Sequence, residues 1–158
     1  MTGFFYDIKM AKVRLTKEFH FEMAHALWNY DGLCKNIHGH SYILFVTVIG
    51  EPNNDIQNPK YGMVMDFGDL KNIVNLEIVD QLDHALVLSE ATPDLEKLDM
   101  PQMFERFFIT KYQPTCENMI ADFAERLQCR LPEEIKLHSL KLHETATSYA
   151  EWYAEDNL

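Results

Sequence analysis

Hydrophobic and polar positions alternate through the first legible part of the chain. Between Lys12 and His25, Phe19, Phe21, Met23 and His25 share one face of an extended segment, and Glu18, His20 and Glu22 share the other. His20 therefore points away from His25 and reads as a surface or satisfied histidine. Asn29-Tyr30-Asp31-Gly32 is a turn or loop signal. Ser41 to Gly50 (SYILFVTVIG) is rich in β-branched and aromatic residues and predicts a second strand. Glu51 to Tyr61, with its prolines, asparagines and aspartate, predicts a hairpin-like loop. Asp66 is placed to cap a helix from about Phe67 to Leu82, with Leu70, Ile73, Val74 and Ile78 as its apolar stripe.

The segment Ser89 to Gln113 starts acidic and proline-containing. It then carries Met103, Phe104, Phe107, Phe108 and Ile109, which fit a short amphipathic helix serving core or interface. Thr115 caps another helix, with Met119, Ile120, Phe123 and Leu127 facing inward, and Leu131-Pro132 ends it. Lys136 to Glu144 alternates again, with Leu140, Leu142 and Glu144 on one face, and Ala146 to Tyr153 supplies a last strand. The order β-β-α-α-β-β is an α+β arrangement: an antiparallel sheet with two helices on one face. There is no internal repeat, and 158 residues make one domain with enough chain for a real core.

Composition narrows the function. No apolar run approaches the length that spans a bilayer, and Asp7 and Lys9 interrupt any signal-peptide core in Met1 to Met10. Three widely spaced cysteines argue against a disulfide framework and fit a reducing, cytoplasmic setting. A net charge of −11 disfavours nucleic acid and leaves room for a small anionic substrate only where basic side chains gather locally. Cys116 and Cys129 have no partner pattern and read as packing residues.

The chemistry concentrates around Cys34-Lys35-Asn36-Ile37-His38-Gly39-His40. His38 and His40 are two apart, so both imidazoles project from one face of a strand. If the preceding strand brings His25 alongside, three neutral nitrogens converge with a fourth position open, as in a catalytic zinc site. Cys34 is then a reactive group beside the metal and not a ligand. Asp83-His84 follows the first helix, where an aspartate can orient an imidazole for acid or base work. Glu144 has two readings: an inward carboxylate that needs partners, or a strand-end glutamate facing water. Thr115 is most simply a helix cap, and Glu117 a first-turn acid favoured by the helix dipole.

Taken together, these motifs resemble a known family. Cys34 to His40 with Ser41, preceded by Phe19 to His25, is similar to the 6-pyruvoyl-tetrahydropterin synthase superfamily. The three-residue gap between Cys34 and His38 most resembles its bacterial branch, the 6-carboxytetrahydropterin synthases of queuosine biosynthesis. The likeness continues through Met65 to Lys71, Leu82-Asp83-His84, Pro114 to Asn118, and Leu142 to Thr145. The chain departs from the compact bacterial members in its longer Ser89–Gln113 segment, its lead to Lys12, and Ala85 after His84.

The resemblance implies the tunnelling fold, assembled as trimers stacked into a homo-hexamer with active sites between subunits. It implies zinc held by His25, His38 and His40, Cys34 as base, and Asp83 and His84 as an acid/base pair. Glu144 would anchor the pterin ring, with Thr115 and Glu117 near that pocket. The implied substrate is 7,8-dihydroneopterin triphosphate. The expected products are 6-carboxytetrahydropterin, acetaldehyde and triphosphate; the sister activity eliminates triphosphate and keeps the side-chain carbons. A zinc- or pterin-binding protein without turnover is the other class of reading.

Overall fold

The structure is a computed structural model describing residues 11–97 and 99–158. The first ten residues, and with them the sequence reading of Met1 to Met10, lie outside the described residues. Strand β1 (Val13–His25) and strand β2 (His38–Gly50) pair antiparallel over their whole length, from Val13 opposite Gly50 to His25 opposite His38. Alternation in both strands sends Phe19, Phe21, Met23, Tyr42, Leu44, Val46 and Val48 into one core.

The helix predicted from Asp66 forms as expected at its start: the Asp66 carboxylate accepts from the Gly68 N–H at 2.7 Å, and Phe67–Val74 is α-helical. It then widens into a π turn, Asn75–Val79, before one last turn, Asp80–Leu82. Leu70, Val74, Ile78 and Leu82 are all buried, at intervals of four. A straight α-helix would carry such a stripe about 40° further round at each step; the wider turn takes up the excess and keeps all four on the sheet.

Strand β3 (Ala85–Ser89) and strand β4 (Phe107–Thr110) follow, with a single-turn helix, Met100–Met103, between them. After the long helix Cys116–Gln128 come β5 (Lys136–His143) and β6 (Tyr149–Tyr153). The six-stranded sheet runs β4-β3-β1-β2-β5-β6. Its β1, β2, β5 and β6 are antiparallel, as the sequence predicts, and β3 and β4 extend it in parallel on the other side of β1, so the sheet is mixed.

This corrects the reading of Ser89–Gln113. Phe107, Phe108 and Ile109 are not a helix face but a strand, paired with Leu86, Val87 and Leu88; aromatic and β-branched side chains favour that pleated setting. The same segment also covers part of the sheet's second face, where Leu86, Leu88 and Met100 cluster with Ala24, Leu95 and Phe104. The long helix packs Met119, Ile120, Phe123 and Leu127 on the first face. Among the described residues no helix is long and apolar enough to cross a membrane.

Candidate metal centre and active site

The β1–β2 register builds the histidine cluster. His25 lies directly across from His38, and His40, paired with Met23, is the diagonal neighbour on the same face. Their ligand nitrogens lie within 4.8 Å of one another, with His25 and His38 Nε2 only 3.1 Å apart. No other group of three or more metal-ligating side chains occurs among the described residues.

Two of the tautomers follow from the partners. His25 Nδ1 lies 2.7 Å from the Pro114 carbonyl and His38 Nδ1 lies 2.8 Å from the Asn36 carbonyl. A carbonyl only accepts, so each Nδ1 carries a proton, and the tautomer of the neutral ring is the one with its lone pair on Nε2. Two lone pairs facing each other at 3.1 Å repel unless a cation lies between them. Burial holds His25 and His40 below the usual imidazole range, against the upward pull of the Pro114 carbonyl on His25 and of Glu144 on His40. Neutral rings with free Nε2 atoms are what a zinc ion selects, and in His25 and His38 the ring is also braced through Nδ1. A tetrahedral zinc with bonds of about 2.0–2.1 Å sets its nitrogens about 3.3–3.4 Å apart, close to the His25–His38 spacing. The donor set fits zinc.

Glu144 resolves toward its inward reading. It follows β5 with Leu140 and Leu142 buried beneath it. Its Oε1 accepts from the Tyr42 hydroxyl at 3.3 Å and lies 3.8 Å from His25 Nε2, with 28% of the side chain exposed. Tyr42 is fully buried, stacked on Phe21, and burial together with Glu144 pushes its phenol pKa far up. The phenol therefore stays a donor to Glu144. Sequence reasoning did not single out Tyr42, although it sits two residues beyond His40 on the same strand face. Nor did it find the Pro114 carbonyl, since backbone groups leave no residue-type signature.

Cys34 sits in a single 3₁₀ turn, Leu33–Lys35, within the loop joining β1 to β2, and its side chain is half-buried. The structure leaves it outside the histidine cluster. Thr115 caps the long helix by accepting from the Asn118 N–H at 3.3 Å, and Glu117 is exposed in its first turn. Of the other two cysteines, Cys116 is buried, which pushes its thiol up to about 11, but Cys129 is exposed beyond the helix end and is not a packing residue.

Asp83 and His84 do form a dyad, with His84 Nδ1 3.0 Å from Asp83 Oδ1. The main chain of Glu22 clamps both: its N–H donates to Asp83 Oδ1 at 2.9 Å, and its carbonyl accepts from the His84 N–H at 2.6 Å. The Glu22 N–H, helped by His84, holds the Asp83 carboxyl below the usual range. His84 adopts a positive φ of 60° and its side chain is 73% exposed. The dyad opens on a groove of about 490 Å³ lined by Glu22, Ala24, Ser41, Leu86, Phe104 and Arg106 among others. Glu22, Ala24 and Ser41 are on the sheet face opposite His25 and His38. Met23 and His40 line the same groove, so one member of the histidine cluster borders it together with His84.

Comparison with known proteins agrees with this architecture. Residues 14–155 match the family model described as 6-pyruvoyl tetrahydropterin synthase. The chain is 33% identical over 141 residues to the 6-carboxy-5,6,7,8-tetrahydropterin synthase of Haemophilus influenzae, covering 88% of this chain and 97% of that protein. It is 30% identical over 167 residues to the protein of the same name from Aquifex aeolicus, covering 91% and 99%. Among solved structures, an uncharacterized protein from Wolinella succinogenes matches with a TM-score of 0.76 at 20% identity, covering 91% of this chain and 99% of that one. The 6-pyruvoyl tetrahydropterin synthase of Caenorhabditis elegans matches with a TM-score of 0.65 at 24% identity, covering 94% and 99%. These last two likenesses speak to the tunnelling fold alone. The chain belongs to the 6-pyruvoyl tetrahydropterin synthase family, and it is an enzyme, a pterin-synthase lyase.

Proposed function

We propose that the chain converts 7,8-dihydroneopterin triphosphate and water to 6-carboxy-5,6,7,8-tetrahydropterin, acetaldehyde and triphosphate, the reaction that supplies queuosine biosynthesis. The observation that carries this is the cluster of three histidines, two of them braced through Nδ1, beside a carboxylate, in a chain similar to relatives named for that product. The carboxylate product carries one oxygen more than the side-chain carbon it comes from, so water enters the balance.

His25, His38 and His40 hold zinc, which when bound supplies Lewis acidity to the side-chain hydroxyls. Glu144, oriented by Tyr42, keeps its second oxygen for the N–H groups of the aminopyrimidine edge and so fixes the ring. Thr115 and Glu117 border that pocket. Cys34, as thiolate, removes the carbon-bound proton. His84, oriented by Asp83 through Nδ1, moves protons at its exposed Nε2. A neighbouring copy supplies the dyad to each site. A cytoplasmic homo-hexamer, a dimer of trimers, supplies such neighbours.

The test is incubation of zinc-loaded protein with 7,8-dihydroneopterin triphosphate, with mass analysis of the pterin and an acetaldehyde assay. Carboxytetrahydropterin with matching acetaldehyde is the expected result. A pyruvoyl product without acetaldehyde moves the chain to the activity for which the family model is named. No turnover, with zinc and pterin bound, leaves a binding protein.

A further inference from the structure

The loop between β1 and β2 carries Cys34, and most of its hydrogen bonds are internal. The Leu27 N–H donates to the Cys34 carbonyl at 2.9 Å, the Tyr30 N–H to the Leu27 carbonyl at 3.3 Å, and the Asn36 N–H to the Leu33 carbonyl at 3.0 Å. Among the described residues, two hydrogen bonds tie the loop to chain far away in sequence, and both belong to one side chain. Gln113 Oε1 accepts from the Trp28 N–H at 3.1 Å, and Gln113 Nε2 donates to the Trp28 carbonyl at 2.7 Å. A primary amide has one acceptor and one donor group at this spacing, so it satisfies both main-chain groups of Trp28 as a neighbouring strand would.

Gln113 is itself anchored. Its carbonyl accepts from the Thr115 N–H at 2.7 Å and from Asn118 Nδ2 at 3.0 Å, at the start of the long helix whose inner face is buried. The next residue, Pro114, gives its carbonyl to His25 Nδ1 at 2.7 Å. Two consecutive residues on one rigid mount therefore address both halves of the site. Pro114 fixes the histidine at the end of β1 through the main chain. Gln113 fixes the loop three residues further on, through its side chain. From Trp28 the tie passes to its neighbour Leu27, whose N–H is bonded to the Cys34 carbonyl.

We propose that Gln113 is a positioning residue that sets where Cys34 stands relative to the His25–His38–His40 cluster. The inference rests on the reading of Cys34 as the base. Gln113→Ala removes both bonds to Trp28. Gln113→Glu keeps the acceptor for the Trp28 N–H but turns a carboxylate oxygen toward the Trp28 carbonyl, so it frees the loop without emptying the position.

The experiment measures kcat and KM, zinc content, and the rate of Cys34 alkylation by iodoacetamide for wild type, Gln113→Ala and Gln113→Glu. Peptide mass mapping counts Cys34 apart from Cys116 and Cys129. Both variants are expected to lose about 10- to 100-fold in kcat with KM little changed, the scale of a misplaced reacting group. Zinc content should stay at the wild-type level while Cys34 alkylation accelerates severalfold. Unchanged kcat and alkylation would overturn the proposal. A loss of kcat that tracks loss of zinc would overturn it too, because the effect would then run through His25. Alkylation requires no substrate. A wild type inactive on dihydroneopterin triphosphate would therefore sink the function proposed above while the Gln113 result still stands or falls on the thiol.

Discussion

Replacing Tyr42 by Phe removes one oxygen atom and little else, which makes it a clean probe of Glu144. The ring is fully buried and stacked on Phe21 with centroids 5.1 Å apart, so packing survives the change. What is lost is the hydroxyl's bond to Glu144 Oε1. Hydrogen bonds to charged groups contribute about 1.5–3 kcal/mol. Two features lower that figure here. At 3.3 Å the bond is longer than the usual 2.7–2.8 Å for two oxygens, and a carboxylate 28% exposed can take water instead. The expected cost is about 1 kcal/mol of stability, which lowers Tm by about 2–4 °C for a chain of this size. If Glu144 holds the pterin ring, losing its fixed orientation should also raise KM for dihydroneopterin triphosphate about fivefold, the factor equivalent to 1 kcal/mol. Thermal unfolding and steady-state kinetics on the zinc-loaded protein read the two effects separately. An unchanged KM with the stability loss present would refute the ring-anchoring role of Glu144. A cost above about 3 kcal/mol would refute the claim that water replaces the phenol.

Four further outcomes follow from the same geometry. Cys34→Ala should keep zinc and fold, since Cys34 stands outside the cluster, but abolish turnover; zinc loss in that variant would make Cys34 a ligand. Mixing inactive His38→Ala and His84→Ala chains should restore activity at about a quarter of the sites if each site combines the cluster of one copy with the dyad of another; equilibrated mixtures that stay inactive would contradict this. Tyr42, Tyr112 and Cys116 all have pKa values raised by burial, so the folded form holds their protons more tightly than the unfolded chain. Their contribution is fully present below the ordinary values of 9.0 for the thiol and 10.0 for the phenols and is lost as pH rises beyond them, so urea unfolding midpoints should fall from about pH 9 upward. Phe123→Ala, which empties a fully buried position packed edge-on against Phe21, should cost about 3–5 kcal/mol in denaturant titration, and a cost under 1 kcal/mol would mean the helix is not held by this contact.

Whatever was encoded locally could be read before the structure. Asp66 and Thr115 cap their helices because a cap needs only its own side chain and the amides two or three residues on. The histidine cluster was legible because alternation in two strands and a loop of fixed length leave one register that buries Phe21 and Tyr42 together. Glu144 was legible by face and not by partner, since only the fold brings Tyr42 beneath it. The parallel strands were not legible. Ala85–Ser89 is buried throughout, so it has no alternation to betray it, and its partner β1 lies some sixty residues earlier in the chain. Phe107–Thr110 is four residues long, too short for its apolar run to distinguish strand from helix. Gln113 looked like the end of an unassigned segment because its partners are main-chain atoms at Trp28, which no residue-type pattern marks.

Both the dyad and the metal cluster are organised by β1. β1 is the only strand bonded to both β2 and β3, so one edge of it lines up the histidines and the other receives the turn that carries Asp83 and His84. Glu22 and His25 are three residues apart, and an odd interval on a strand puts their side chains on opposite faces. The Glu22 main chain holds the dyad at the edge of β1 that pairs with β3, through two hydrogen bonds. Moving His84 away from this place would require breaking that clamp and the β1–β3 pairing that begins at Met23 and Ala85. Among the described residues the sheet ends in two edge strands, β4 and β6, which can pair with another copy. If a neighbouring copy supplies the dyad, as proposed above, these two edge strands are where the copies would join, and the mixture of His38→Ala and His84→Ala chains tests that arrangement.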